Sequence, residues 1–244
     1  MLKFIAFFLT LSITLFAASF DLKPIRADLL KVDDVYGYIK DSPEIKINSG
    51  GIVIQQFKSS KSIIARASVI AKENGLAKLE FSVFSDLKQD ALPLPNVLPK
   101  SGDEVVLNFL YDRGVIIAPD ETTYNDLVSD FPQIYFTHID IFGAQLIRTS
   151  ILAPKRSDFR KFCADNAVGI LIFALENKAK IIDCQNFNEL YEFPIEKASS
   201  VQIPFYSRVS GYKSNFFDFN TQEIGNYYKY YNALIDFSGI KMNQ

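Results

Sequence analysis

Few side chains in this chain could carry out acid–base or metal chemistry. The 244 residues include one histidine, His138, whereas proton transfer near neutral pH and most zinc sites depend on imidazole. No G-x-S-x-G sequence marks a nucleophilic serine, and the glycines of "NSGGIV" lack the lysine of a phosphate-binding loop. We therefore predict a non-enzymatic protein without cofactor or metal, in which His138 caps a helix or lies on the surface.

Adjacent acidic residues leave one catalytic alternative open. Two opposed carboxylates can hydrolyse a glycosidic bond, and pairs of acids occur at Asp33-Asp34, Asp103-Glu104 and Asp120-Glu121. Such pairs are also common in solvated turns. A hydrolase of envelope polysaccharide therefore stands as the third functional hypothesis.

The densest group of basic residues is "PKRSDFRKF", where Lys155, Arg156, Arg160 and Lys161 surround Asp158. On a helix these residues would form a mixed, mainly positive face that could bind an acidic partner or an envelope polymer. A face that is only solvated is the alternative interpretation. The spacing alone does not decide between the two.

The first 19 residues predict export. One positive charge, Lys3, precedes an apolar run from Phe4 to Phe16, and small residues follow at positions 17–19. This order is typical of a signal peptide. The run is shorter than the roughly 18 residues that a membrane-spanning helix needs. We expect a chain in the periplasm or at the cell surface with no transmembrane span after cleavage, and an uncleaved membrane anchor is the alternative.

The charge balance argues against one class of partner. The chain has 26 Lys and Arg against 28 Asp and Glu, a formal net charge of −2, and removal of the leader takes away only Lys3. Such a chain does not attract a phosphate backbone. We therefore expect a protein partner and no nucleic acid.

Two cysteines, Cys163 and Cys184, are the only ones in the chain. In an oxidising compartment such a pair is usually bridged. We predict a disulfide that pins a helix to a strand, with two buried free thiols as the alternative.

The fold class predicted is α+β, with a β-rich, barrel-like or sandwich-like part over residues 20–120. In "KSIIARASVIAKENGLAKLEFSVF" apolar residues alternate on both sides of Asn74-Gly75, which predicts a hairpin with Arg66 on the face opposite Ala65. "GGIVIQQF", "EVVLNFL" and "VIIAP" predict further strands of this part. Between them, Pro93, Pro95 and Pro99 predict a stiff, extended link.

Residues 121–200 predict a small α/β unit that holds the disulfide. "DETTYNDLVSDFP" predicts a helix that ends before Pro132, and "THIDIFGAQLIRTS" predicts a second, with Thr137 and Asp140 in capping-box spacing. A third helix is expected to begin at Ser157 as its N-cap, before a hairpin that turns at Glu176-Asn177-Lys178.

Residues 201–244 predict a loop-rich extension and a C-terminal helix that begins near Asn220. Its apolar stripe is either part of the core or a docking surface for a partner. The docking candidates are Tyr227, Tyr228, Tyr231 and Leu234.

Three stretches together resemble a known family: "SGGIVIQQF", "QDALPLPNVLPKSGDEVVLNFLYDRGVIIAPDETTY" and "SDFRKFCADNAVGILIFALENKAKIIDCQNF". They are similar to the N-terminal domain of the plasminogen-binding protein family, exported proteins of spiral Gram-negative bacteria. The likeness covers residues 20 to 200, and its middle stretch is the most specific part.

The resemblance implies display in the periplasm or on the surface, and adhesion to plasminogen. Kringle modules hold a lysine ammonium between carboxylates and pack its stem in an aromatic trough. Lys241 stands three residues before Gln244, so the resemblance implies binding through an internal lysine near a carboxylate. The candidates are Lys155 or Lys161 around Asp158, and Lys178 beside Glu176.

A second hypothesis belongs to another class. The aromatic C-terminal helix could dock the chain into a periplasmic envelope assembly, such as an accessory disc of the flagellar motor. In that case the partners would be assembly subunits rather than plasminogen.

Overall fold

The structure is a computed structural model, and it describes residues 23–58, 60–85, 87, 97–210 and 223–236. The predicted signal peptide, two of the three prolines of the predicted link (Pro93 and Pro95) and Asn220 lie outside these residues. The fold is α+β and rich in β-structure, as predicted, with a curled antiparallel sheet in the N-terminal half, a second sheet and four helices.

Seven strands form the first sheet, which we call the half-barrel. They are β1 (Ile25–Asp28), β2 (Lys31–Asp33), β3 (Tyr36–Lys40), β4 (Gly50–Phe57), β5 (Ser60–Glu73), β6 (Leu76–Ser82) and β7 (Glu104–Leu107), in the spatial order β1-β7-β4-β5-β6-β3-β2. The predicted hairpin is confirmed as β5 and β6. Asn74 and Gly75 have φ angles of 53° and 75°, which a tight hairpin turn requires.

One continuous segment supplies both edges of the half-barrel. Strand β1 pairs with β7, β2 pairs with β3, and only two residues separate β1 from β2. The amide of Leu29 donates to the Asp103 carbonyl at 2.9 Å, and that of Leu30 donates to the Tyr38 carbonyl at 2.8 Å. Because one short segment bonds in both directions, the sheet curls around its core. That core is built from small and branched aliphatic side chains, among them Ile39, Val53, Ala67, Leu79 and Val105.

Five strands and four helices form the rest, which we call the helix-flanked sheet. The strands are β8 (Arg113–Ile117), β9 (Tyr135–Phe136), β10 (Ile170–Ala174), β11 (Lys178–Asp183) and β12 (Glu189–Pro194), in the order β12-β11-β10-β8-β9. The helices are α1 (Glu121–Asp130), α2 (Ile139–Arg148), α3 (Arg156–Asn166) and α4 (Tyr227–Asp236). Strand β8 is parallel to both neighbours. The helices α1 to α3 therefore lie in the crossover connections that parallel strands need.

Strand β8 differs from the sequence-based expectation. "VIIAP" was grouped with the strands before residue 120, but it pairs with β9 and β10 in the second sheet. All four residues from Val115 to Ala118 are fully buried. A continuous apolar run of this kind is typical of a central parallel strand that is covered on both faces.

Two helix starts also differ from expectation, by one residue in α2 and by two in α3, whose N-cap is Lys155. The N-cap of α2 is His138 rather than Thr137, and the Asp140 amide donates to the imidazole Nδ1 at 3.1 Å. The predicted capping role of His138 is thus confirmed. Helix α3 begins at Arg156, and Ser157 lies inside its first turn.

Candidate functional site

The basic cluster lies at the start of α3, where Asp158 has a structural task. The amide of Lys155 donates to Asp158 Oδ2 at 2.7 Å, which satisfies a backbone group that the helix cannot satisfy itself. The Lys155 side chain is exposed. The capping bond therefore holds one carboxylate beside the base of this lysine.

Arg156 faces inward, towards the end of α4. Its guanidinium donates to the carbonyls of Leu234 and Ile235, both at 2.7 Å, and lies 4.9 Å from the centre of the Phe187 ring. Burial, reinforced by the nearby charge of Arg160, lowers the pKa of Arg156, although Asp236 opposes the shift. Arg156 satisfies the last carbonyl groups of α4, so it anchors that helix rather than facing a partner.

Arg160 is also committed within the chain. Its Nε donates to the Gln185 carbonyl at 2.6 Å, and its guanidinium lies 5.4 Å from the centre of the Phe187 ring. Burial lowers its pKa, although Asp183 opposes that effect. The predicted positive face thus contains two arginines that stabilise the fold.

The remaining charged candidates differ in what they contact. Lys161 bonds to Asp165 at 2.7 Å, one turn further along α3, and Lys178 lies 3.0 Å from Glu192. Glu176 accepts a hydrogen bond from Lys197 at 2.7 Å, so Lys178 and Glu176 each have other partners. Within the described ranges, Lys155 is the one candidate lysine without a carboxylate partner.

Helix α4 packs into the core of its own chain. Tyr227 and Tyr231 are buried, and their hydroxyls donate to the carbonyls of Ile117 and Pro204, both at 2.9 Å. Burial raises the pKa of Tyr227 well above its usual value. Tyr228 and Leu234 are partly buried against the same core. The rings of Tyr227 and Tyr231 therefore do not face a docking partner, and the observation that favoured an assembly role no longer supports it.

The predicted disulfide is present between Cys163 in α3 and Cys184, the residue after β11. Both residues are fully buried. The bridge joins the helix to the sheet, as expected from the sequence.

Sequence reasoning missed a buried charged network between the two sheets. Arg66 of β5 donates from one nitrogen to both carboxylate oxygens of Asp183, at 2.7 and 2.6 Å, and their side chains are 7% and 1% exposed. Tyr111 donates to Asp183 Oδ2 at 2.8 Å and accepts from the Gly50 amide at 2.7 Å. Burial, and then the Asp183 charge, raise the pKa of Tyr111 well above its usual value. The network joins the half-barrel to the helix-flanked sheet.

No sequence signal identifies this network, because Arg66 and Asp183 are 117 residues apart. The sequence placed Arg66 on the outer face of its strand, which is where it points. Arg66 is buried there because Asp183 of the second sheet packs against it. The one hint in the sequence is that Arg66, a charged residue, lies within a largely apolar strand, and this hint does not identify Asp183 as its partner.

Within the described residues, His138 contacts Asp140 and the Tyr124 ring rather than a serine or cysteine nucleophile. Burial lowers its pKa, although Asp140 opposes the shift, and its Nδ1 serves the α2 cap. Among the described residues, no group of three His, Cys, Asp or Glu side chains is placed to hold a metal ion.

Comparison with known proteins identifies the family. The sequence matches the model of the plasminogen-binding protein pgbA N-terminal region over residues 24–235. The chain belongs to this family. Two PgbA relatives from Helicobacter pylori, of strains J99 and 26695, are named plasminogen-binding protein and are 28% and 27% identical over 218 residues. These alignments cover 87% of this chain and 48% of each relative, so the chain spans about half their length.

No solved structure matches this chain. In the part of the chain that the structure describes, no helix has both the length and the apolar character needed to cross a membrane. The PgbA family assignment, together with the positions of the charged candidates, is therefore the basis for a functional proposal.

Proposed function

We propose that this chain is an exported, non-enzymatic binding protein that contacts plasminogen through an internal lysine, Lys155. The PgbA relatives carry plasminogen binding in their names. Because they are about twice as long as the matched region, the assignment of that activity to this half is part of the proposal.

The observation that carries the proposal is the state of the Lys155 ammonium. It is exposed, and no carboxylate among the described residues pairs with it. A kringle that binds Lys155 therefore does not have to break an ion pair first. A kringle that binds Lys161 or Lys178 would first have to break an ion pair with a carboxylate, which for such exposed pairs costs up to about 1 kcal/mol.

Asp158 gives Lys155 a second feature that suits a kringle. Kringle sites accept a positive and a negative charge held a short distance apart, with an aromatic trough along the lysine stem. The bond from the Lys155 amide to Asp158 fixes that carboxylate near the lysine. The start of α3 thus presents both charges from one rigid helix end.

Retention of plasminogen on immobilised protein tests the proposal. We expect retention that excess free lysine analogue abolishes, and a clear loss with Lys155→Gln. Lys161→Gln is the matched control, since it removes an exposed cation from the same helix and should retain plasminogen. No retention, or retention that survives the lysine analogue, would show the kringle mechanism to be wrong.

Export is tested separately. The mass of the protein purified from its own envelope should correspond to a chain that begins at Phe20, and labelling of intact cells distinguishes surface display from the periplasm. A full-length mass that includes Met1 would contradict cleavage of the leader.

A further inference from the structure

An apolar groove of about 440 Å³ lies between the start of α3 and helix α4. Its lining residues are Lys155, Arg156, Ser157, Tyr230, Ala233 and Leu234. The Tyr230 ring is held in place because its hydroxyl donates to the Pro154 carbonyl at 2.9 Å. Arg156 bonds to the Leu234 and Ile235 carbonyls, so both walls of the groove are fixed by hydrogen bonds.

Two lysines flank this groove without carboxylate partners among the described residues. Lys155 lies on the α3 side. Lys229 is exposed on α4, four residues before Ala233, so it lies beside the groove on the same helix face. Asp158 keeps its negative charge although it accepts from the Lys155 amide, whereas Asp236 lies 3.1 Å from Lys180. Since Arg156 also lines the groove, three cations stand against the one carboxylate of Asp158, and the rim carries a net positive charge.

We propose that this groove binds a free, single-chain amphiphilic anion such as an alkyl carboxylate. The alkyl chain packs against Tyr230, Ala233 and Leu234, and the carboxylate lies between the ammonium groups of Lys155 and Lys229. The proposal goes beyond plasminogen binding and does not rest on it.

The size and charge of the groove favour this ligand class. Its volume lies within the roughly 300 to 1,000 Å³ of typical small-molecule sites, whereas a stable protein interface buries about 1,200 Å² or more. The apolar walls offer few hydrogen-bonding groups for a polar sugar. The two free cations complement one anionic head, and they disfavour a cationic one.

Titration of the full chain with octanoate, decanoate and dodecanoate, each below its micelle concentration, tests the apolar walls. We expect Kd to fall two- to fourfold for each methylene that the groove buries. NMR shifts of the Ala233 methyl should report the binding. An affinity that does not change with chain length would overturn the proposal.

Changes of head group test the two lysines. Dodecanol should bind more weakly than dodecanoate, and dodecyltrimethylammonium should bind weakest. Lys155→Gln and Lys229→Gln should each weaken dodecanoate about two- to fivefold, while the control Lys161→Gln should leave its affinity unchanged. Ala233→Glu, at an exposed site, should weaken it more than tenfold. Equal binding of the anionic and cationic amphiphiles would contradict the proposal.

Other occupants give different results. Sedimentation with vesicles of phosphatidylcholine and phosphatidylglycerol, without binding of free dodecanoate, would indicate a membrane surface instead. A dimer that dodecanoate dissociates would indicate a second copy of the chain. Binding of dodecanoate only after deletion of residues 237–244 would show that the chain's own tail occupies the groove. Each of these outcomes would overturn the proposal.

Discussion

The half-barrel and the helix-flanked sheet achieve burial in different ways. The half-barrel is antiparallel throughout and fills its core with small and branched aliphatic side chains. The helix-flanked sheet packs aromatic rings between strands and helices, with Phe142 in ring contact with Phe159, Phe162 and Phe205 at 4.8 to 5.7 Å. It also contains the disulfide. Aliphatic side chains thus fill one core, and aromatic rings and a disulfide stabilise the other.

The two regions meet at a buried ion pair. Arg66 comes from the half-barrel and Asp183 from the helix-flanked sheet, and Gly50 leaves room for both side chains. A buried ion pair adds little stability over an apolar contact, but its geometry is demanding. Each region packs through its own core, and this buried ion pair, which we call the polar joint, is one of the polar contacts that join them, together with the bond from Asn48 Nδ2 to the Glu189 carbonyl.

The largest expected effect is at this joint. Arg66→Met leaves the Asp183 carboxylate buried without its cation and should lower the free energy of unfolding by about 3 to 5 kcal/mol. Urea unfolding gives the size of the loss, and hydrogen exchange shows where it falls. If only one region lost protection, the two regions would be independent and the joint unimportant.

Gly50→Ala is a second probe of the same joint. A Cβ at this position would overlap the guanidinium of Arg66 and the carboxylate of Asp183. We expect a similar pattern of lost protection, although neither charge is removed. Unchanged stability would show that the ion pair tolerates a shift.

Loss of the disulfide should have the next largest effect. The bridge spans 21 residues, and cross-links of that length stabilise by about 3 kcal/mol in the chain-entropy model. In the double variant Cys163→Ala with Cys184→Ala, hydrogen exchange should increase in α3 and β11 and stay unchanged in β5. An equal increase in β5 would contradict the separation of the two cores.

Matched methyl deletions compare the cores directly. Ile39 in the half-barrel and Ile172 in β10 are both fully buried. Ile→Val changes usually destabilise by about 0.5 to 1.5 kcal/mol, depending on how well the site collapses. We expect Ile172→Val near the upper value, because rings and a disulfide restrict collapse, and Ile39→Val near the lower one. If urea unfolding showed a larger loss of stability for Ile39→Val than for Ile172→Val, the proposed difference between the two cores would be wrong.

The smallest effect concerns acid sensitivity of the helix-flanked sheet. Burial alone would raise the pKa of Asp120, the N-cap of α1, but hydrogen bonds from Thr123, Ser200 and Ser199 outweigh it and lower the pKa. A lowered pKa means that the charged form stabilises the fold above the unfolded pKa of about 3.9. This contribution is lost as the pH falls through the folded pKa.

Asp120→Asn tests that effect. Asparagine caps as well as aspartate, so stability at pH 7 should change by less than about 1 kcal/mol, and the loss between pH 5 and pH 3 should be smaller than in the unchanged protein. Urea unfolding at the three pH values measures both. An identical loss on acidification would mean that other carboxylates carry the pH dependence.

Local patterns in the sequence predicted the local structure well. Asn74-Gly75 predicted the β5–β6 hairpin because two positive φ angles select those residues. The presence of only two cysteines, with export expected, predicted the bridge between Cys163 and Cys184, and capping was one of the two roles predicted for His138, although the capping-box spacing favoured Thr137. Each of these depends on residues that are close in the chain or chemically unique.

Choices that depend on distant partners were not predictable. The run "VIIAP" identifies β8 as a strand, but its sheet is set by pairing with β10, more than 50 residues later. At the candidate site, the sequence predicted a cluster of charged residues at the start of α3. In the structure, Arg156 and Arg160 donate to carbonyls of remote segments. Only the folded arrangement separates them from Lys155.

The two-way bonding of residues 25–33 has a consequence for how the chain acquires its shape. This stretch is made early, but its partner β7 lies about 80 residues further on. Strand β1 can therefore not complete its pairing until residue 107 has left the ribosome. Both margins of the half-barrel are short, four residues in β1 and three in β2, so they offer little length on which a strand of another molecule could pair.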